Sequence, residues 1–273
     1  MTDSVKKILF VNSEMVPYLP ESPIARIGRQ LPQGIQERKK EIRVFMPRYG
    51  CINERKNQLH EVIRLSGMNI IIGDVDRPLV IKVASIAAAR LQVYFIDNED
   101  YFRRKQLRCD EKGVPFPDNG ERAIFFARGV LETVKKLRWA PDIIHCQGWI
   151  STILPLYLKK AYRNDPIFSG SRIVLSLYDD IADNPLPEGF GQTILHGGVK
   201  PEDVALPEKA GGMELAKLAA RYADGIILGS EHIAPELEAY CRSLQVPLLP
   251  YDGEAMADGS YQDQYNAFYD QLP

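Results

Sequence analysis

Apolar and polar positions along the chain follow two rhythms. KILFVN (7–12) is a continuous apolar run closing on polar residues, the pattern of a strand buried on both faces of a parallel sheet. From about Ala25 to Lys39 the pattern is helical, with Ile24, Ile27, Leu31 and Ile35 near one face and Pro32 and Gly34 weakening its second half. EIRVFMP (41–47) predicts a second strand, stopped by its proline. HEVIRL, MNIIIG, PLVIKVASI and RLQVYFID, between 60 and 97, are short β-rich runs parted by turn residues and predict an antiparallel insertion over about 59–97.

Further along, NEDYFRR (98–104) predicts a short helix capped by Asn98, and CDEKGVPFPDNGE (109–121) a polar loop of the kind that carries function. Ile124, Phe125, Val130, Leu131, Val134 and Leu137 recur at helical spacing and predict a helix over 119–137. A strand at 142–146, a helix at 150–162, a strand at 172–177 and a long loop rich in Gly, Pro and Asp follow. A helix around 213–222, a strand at 225–229, a helix at 232–243 and a last strand in VPLLPY (246–251) complete the alternation. The Tyr-rich, acidic tail at 259–272 is expected to form a helix that packs back. The succession predicts an α/β fold, a doubly wound Rossmann-like parallel sheet with an antiparallel insertion. One domain is expected over 1–250, with residues 251–273 as a tail packed on it.

Composition narrows the partners. With 273 residues, 45% hydrophobic and 26% charged, the chain can bury a large core without disulfide or metal staples. Its formal net charge of -2 provides no global field toward nucleic acid or an anionic membrane, and neither partner is expected. Cys51, Cys109, Cys146 and Cys241 are scattered, with no CxxC and no histidine at ligand spacing, so no metal site and no cofactor is expected. The apolar run after Lys6 and Lys7 is too short for a signal sequence, and the longest uncharged run, 143–158, falls short of a membrane span. A reduced, cytoplasmic protein is the expectation.

Candidate chemistry collects where strands end. PDIIHCQGW (141–149) runs from a strand into a helix, the junction at which open α/β sheets bind ligands. His145 there reads either as a core histidine bonded to backbone or as a ligand-cleft group. Trp149 reads as a packing corner or a sugar platform. Asp179 and Asp180 are a carboxylate pair open to acid–base work or to life in a solvated turn. Ser230 and Glu231 read as caps of the next helix. The Gly pairs in GGV (197–199) and GGM (211–213) do not follow a strand as a dinucleotide fingerprint would. The basic runs FRRKQLR (102–108) and KKLR (135–138) read as an anion dock or as solvated helix ends.

Five segments share an order with a known family: KILFVNSEMVPY (7–18), Leu31–Pro32, EIRVFMPRYG (41–50), PDIIHCQGW (141–149) and AKLAARYADGIILGS (216–230). Together they resemble the N-terminal domain of bacterial glycogen synthases and plant starch synthases, transferases that use ADP-glucose. The resemblance implies the N-terminal half of a GT-B glycosyltransferase, whose second domain holds most of the sugar nucleotide. The chain has too little sequence left for a second such domain, so half a cleft is expected.

The resemblance also marks departures. After SE-x-x-P the family carries Lys-Thr-Gly-Gly, suited to phosphates; in register this chain has Pro20, Glu21, Ser22 and Pro23, and Arg26 where the family has aspartate. The family's His-x-His-Asp-Trp-His keeps His145 and Trp149, but Gln147, Gly148 and Ile150 stand at the other positions. The Thr-x-His-Asn type motif reads LSLYDDIADN, with Tyr178 and Asp179 at the His-Asn positions. Glu14 holds a family position that orients the first loop, as scaffold or as ligand contact. The ligand-cleft candidates are therefore Glu14, Glu21, Ser22, Arg26, His145, Gln147, Trp149, Tyr178 and Asp179, with no catalytic residue assigned. Three functions compete. The first is a glycogen synthase-like domain, catalytically impaired alone, that binds an α-glucan, another sugar or a partner protein and regulates glucan metabolism. The second is an active ADP-glucose or UDP-glucose transferase that needs a separate C-terminal-domain partner, and the third an oligomerising structural domain.

Overall fold

The first strand, β1 (Lys7–Asn12), is buried along all but its first residue, because parallel strands lie on both sides of it and helices cover both faces. In this computed structural model residues 5–180 and 185–272 are described. The elements that follow are α1 (Pro23–Glu37), β2 (Glu41–Pro47), β3 (His60–Glu61), β4 (Met68–Ile72), β5 (Val75–Ile86), β6 (Leu91–Asp97), α2 (Glu99–Phe102) and α3 (Asn119–Leu137). The second half adds β7 (Ile143–Gln147), α4 (Leu154–Lys160), β8 (Arg172–Leu177), α5 (Phe190–Ile194), α6 (Pro201–Val204), α7 (Gly212–Tyr222), β9 (Gly225–Leu228), α8 (Pro235–Ser243), β10 (Leu248–Leu249), α9 (Gly253–Asp258) and α10 (Tyr261–Gln271). The sheet runs β10-β9-β8-β7-β1-β2-β6-β5-β3, with β4 paired to β5. Every neighbouring pair from β10 to β6 is parallel, and the strands beyond β6 are antiparallel.

The doubly wound α/β architecture expected from the chain is present, with one correction in the insertion. RLQVYFID is not wholly part of it: β6 pairs antiparallel with β5 but parallel with β2, so it is the last strand of the main sheet. Local alternation reveals a hairpin partner; it carries no signal of a parallel neighbour reached through a long connection.

Helix α1 continues through Pro32, against the interruption its composition suggests. Ser22 caps it, its Oγ accepting from Ala25 N at 3.0 Å, and Pro23 occupies the first turn, where a missing N–H costs nothing. Pro32 leaves the Gly28 carbonyl without its intrahelical donor, and Asn12 Nδ2 at the end of β1 supplies one at 2.9 Å. Two other boundaries shift for proline reasons. The expected helix at 150–162 starts as a 3₁₀ turn over Trp149–Ser151, and regular α4 begins at Leu154 with Pro155 in its first turn. Likewise α8 starts at Pro235 with Ala234 as its cap, so Ser230 and Glu231 do not cap it.

The tail closes one face of the sheet. Tyr261, Tyr265, Phe268 and Tyr269 of α10 are buried in the core, and Gly225 of β9 lacks a side chain where a Cβ would lie 2.7 Å from Leu272 Cδ2. Lys40 pairs with Asp270 at 2.7 Å and Arg38 with Asp263 at 2.6 Å, fixing α10 beside α1. Among the described residues no helix is long and apolar enough to cross a membrane.

Candidate functional site

The parallel strands bring Asn12 to Glu14 at the end of β1, Tyr49 after β2, Gln147 to Trp149 at the end of β7, and Tyr178 to Asp180 after β8 to one edge of the sheet. Parallel register is what does this: Asn12 is paired with Gln147, and Gln147 with Ser176. This is the edge at which such sheets bind ligands.

The first loop is tied to itself. Ser22 Oγ, while capping α1, donates to Glu14 Oε2 at 2.8 Å, so Glu14 acts as scaffold for the turn. Glu21 and Arg26 form an ion pair at 2.7 Å, with both side chains more than half exposed. An exposed pair of this kind stabilises by under about 1 kcal/mol.

His145 is fully buried, with Nδ1 2.7 Å from the Tyr269 hydroxyl and Nε2 2.6 Å from Ser176 Oγ. Its partners are thus side chains, not the backbone that a core histidine was expected to find. One of them comes from α10. Desolvation drives its pKa down to about 3, so at neutral pH it is an uncharged imidazole that donates through one nitrogen and accepts through the other. It is structural floor.

Gln147 is the unusual residue. It is fully buried, yet neither its Nε2 nor its Oε1 has a hydrogen-bond partner among the described residues. Buried amides without partners are rare and cost about 1–3 kcal/mol each. Around it Asn12 Oδ1, Ser13 Oγ and Asp180 Oδ1 are also buried without partners. Gly148 adopts φ 81°, and a Cβ there would collide with Ser13 Oγ, so glycine is needed for the two loops to approach.

The acidic pair divides. Asp179 is exposed, consistent with a solvated turn, while Asp180 turns inward, which corrects the solvated reading for it. Its Oδ2 accepts from Trp149 N at 2.8 Å and its carbonyl accepts from Arg108, so it ties the β8 loop to the 3₁₀ turn and to the 98–118 loop. Burial raises its carboxyl to about 6, opposed by the Trp149 N–H and by Arg108. Tyr178 is buried with its ring against Gly229, and Ile150 is fully buried. The remainder of that loop motif, residues 181–184, lies outside the described residues.

One neighbour was not anticipated. Arg122 of α3 is fully buried, with only Asn119 Oδ1 as partner at 2.7 Å; its Nε and Nη2 have none among the described residues. The rings of Tyr49, Phe102, Phe116 and Trp149 surround its guanidinium at 5.3 to 5.9 Å. Desolvation lowers its pKa to about 10. The signal in the sequence was an arginine on the apolar stripe of a helix, three residues before Phe125 and four before Phe126. The basic run before it serves the loop: Arg104 pairs with Asp118 and Arg108 holds Asp180. Gly197 and Gly198 form a turn, and Gly211 begins α7. Among the described residues no group of three His, Cys, Asp or Glu is placed to hold a metal ion.

The edge therefore gathers buried donors and acceptors from several strand ends beside the ring of Trp149. Comparison with known proteins agrees with the fold around it. The glycogen synthase of Chlorobium limicola is 36% identical over 234 residues, covering 85% of this chain and 47% of that one. The glycogen synthase of Chlorobaculum tepidum is 34% identical over 232 residues with the same coverage. The chain spans about half the length of these curated relatives. A solved catalytic domain of starch synthase IV from Arabidopsis thaliana, bound to ADP and acarbose, superposes over 92% of this chain and 53% of its own. Its TM-score is 0.68 at 14% identity, a likeness of fold. The sequence pattern of the starch synthase catalytic domain covers residues 7–243, and the chain belongs to that family.

Proposed function

We propose that this chain acts in α-glucan metabolism as a glucan-binding regulatory domain, and that it does not by itself transfer glucose from ADP-glucose. The observation that carries the reading is the Gln147 amide, fully buried with both ends unpartnered among the described residues, beside Asn12, Ser13 and Asp180. Vicinal sugar hydroxyls donate and accept at once and match an amide next to a hydroxyl and a carboxyl, directly or through a bridging water. Trp149, only partly buried, gives a sugar ring an apolar face. The first loop supports the second half of the reading. Pro20 and Pro23 have no N–H to offer an anion, and Arg26 is already neutralised by Glu21. The ADP and acarbose of the starch synthase IV domain suggest the two ligand classes to try.

The test is calorimetric titration with maltoheptaose and with ADP-glucose, alongside an assay of glucose transfer to glycogen. Maltoheptaose binding that Gln147→Leu abolishes, with no transfer, is the expected result. Transfer by the chain alone would overturn it. The second reading, a transferase completed by a separately supplied second domain, draws on the 36% identity to a glycogen synthase. Transfer appearing only when such a domain is added would establish it.

A further inference from the structure

Five contacts close a circuit at the strand-end edge. Asp180 Oδ2 accepts from Trp149 N at 2.8 Å, and the Asp180 carbonyl accepts from Arg108. The Arg108 carbonyl accepts from Asn119 Nδ2 at 2.9 Å, and Asn119 Oδ1 accepts from Arg122 at 2.7 Å. The Arg122 guanidinium lies 5.5 Å from the centre of the Trp149 ring, which returns the path to its start. The turn after β7, the loop after β8, the 98–118 loop and α3 are thus tied together. The one acidic member of the circuit is Asp180.

The two carboxylate oxygens of Asp180 are placed differently. Oδ2 is committed to Trp149 and lies 3.1 Å from where a Cβ of Gly148 would stand. Oδ1 is buried without a partner among the described residues, as are polar atoms of Asn12, Ser13 and Gln147. An ionised carboxylate accepts at both oxygens, so a proton on Oδ1 and a hydroxyl donated to Oδ1 compete for the same lone pairs. Burial raises the carboxyl to about 6; the Trp149 N–H and the Arg108 cation oppose this, and the Glu14 carboxylate adds to it. The other titratable groups facing it are Tyr49 and Tyr178, both raised by burial, with Asp180 adding to the effect, so both stay neutral. Asp179, next in the chain, is exposed.

We infer that Asp180 makes ligand binding at this edge depend on its own ionisation: as a carboxylate it holds Trp149 by one oxygen and receives a ligand hydroxyl on the other. This rests on the glucan reading given above and adds to it the charge state in which the edge binds. A polyol arriving at the protonated edge releases the Oδ1 proton to solvent and puts a hydroxyl hydrogen in its place. Ionisation also strengthens the bond from Trp149 N, since a charged acceptor makes the stronger hydrogen bond. The indole ring and the Arg122 cation facing it are then held by the full circuit. Affinity is complete above the titration of Asp180 and falls as the carboxyl takes up its proton.

The experiment is calorimetry of maltoheptaose on the full chain at pH 5, 6, 7 and 8, in two buffers of different ionisation enthalpy. Wild type is expected to bind about ten-fold tighter at pH 7 than at pH 5, and to release about half a proton per ligand at pH 6. Asp180→Asn should bind with flat affinity across the range and release none. Arg108→Gln removes a cation that favours the carboxylate and should move the midpoint upward. In the free protein the Trp149 amide resonance should titrate near pH 6, and in Asp180→Asn it should not. Equal wild-type affinity at every pH, or a pH dependence that survives Asp180→Asn, overturns the inference and leaves the glucan reading standing. Absence of binding at every pH overturns both. Should Asp180→Asn bind nothing, Arg108→Gln decides: a raised midpoint supports the assignment and an unmoved one overturns it.

Discussion

Asn12 Nδ2 donates to the Gly28 carbonyl at 2.9 Å, and Gly28 is the residue four before Pro32. The strand-end amide thus replaces the N–H that proline removed from the helix. It also fixes α1 to β1 at the loop bearing Glu14 and Ser22. Asn12→Leu should leave a buried carbonyl unpaired and cost about 1–3 kcal/mol of unfolding free energy. In a Pro32→Ala background the helix recovers its own donor, and the same substitution should cost under about 1 kcal/mol. Urea titrations of the four proteins provide the cycle; equal costs in both backgrounds would break the link.

That bond also marks what could be read beforehand. The apolar period of α1 was visible through Pro32, while the device that tolerates the proline was not, because its donor lies 16 residues away. The central strands and α3 were legible because fully buried strands and long amphipathic helices write themselves in local pattern. The parallel pairing of β6 with β2 was not, since two-residue alternation is the same in either direction.

His145 supplies a pH test. Its imidazole titrates near 3 in the fold and near 6.5 when unfolded, because burial among Tyr269, Ser176 and Phe10 disfavours the cation. Between these values the unfolded chain binds more protons, so stability present above about pH 6.5 is lost as pH falls toward 3. Several kcal/mol are at stake, since each tenfold change in proton affinity corresponds to about 1.4 kcal/mol. His145→Gln, neutral and able to donate and accept, should be less stable at pH 7.5 but show a much flatter loss between pH 6.5 and 4. An unchanged acid slope would show that other groups govern it.

Asp180 works in the opposite direction over an overlapping window. Burial raises its carboxyl from 3.8 to about 6, so the folded state binds the extra proton, and ionisation between these values weakens the fold as pH rises. Asp180→Asn keeps an acceptor for Trp149 N and removes the charge. Its stability relative to wild type should increase by about 2 kcal/mol from pH 4 to pH 7, read by thermal or urea unfolding. A constant difference across that range would place the carboxylate in a more solvated setting than the structure does.

The same residue shows why the site was only partly legible. The sequence marked Asp179 and Asp180 as equals, and one residue of turn geometry sends the first to solvent and the second under Trp149. Gln147 stood out by its place at the end of β7, whereas the buried polar neighbourhood of its amide depends on Asn12, Ser13 and Asp180 arriving from other strand ends. His145 drew its partner from the tail, 124 residues away, where spacing carries no hint of it.

Arg122 tests whether the strand-end edge is kept for binding at a cost in stability. A buried guanidinium whose Nε and Nη2 have no partner among the described residues is an expensive element of a core, offset in part by the rings of Tyr49, Phe102, Phe116 and Trp149. Replacing such a group with an apolar residue of similar length is often neutral or stabilising by about 1–4 kcal/mol. Arg122→Met is therefore expected to melt at or above the wild-type temperature. The Trp149 ring would then rest on a thioether instead of a cation, and the two open donors would be gone from the edge. Maltoheptaose affinity should fall at least ten-fold in the same variant. Rising stability with falling affinity would identify the arginine as retained for the ligand. A large loss of stability with unchanged affinity would make it a structural group and remove it from the site.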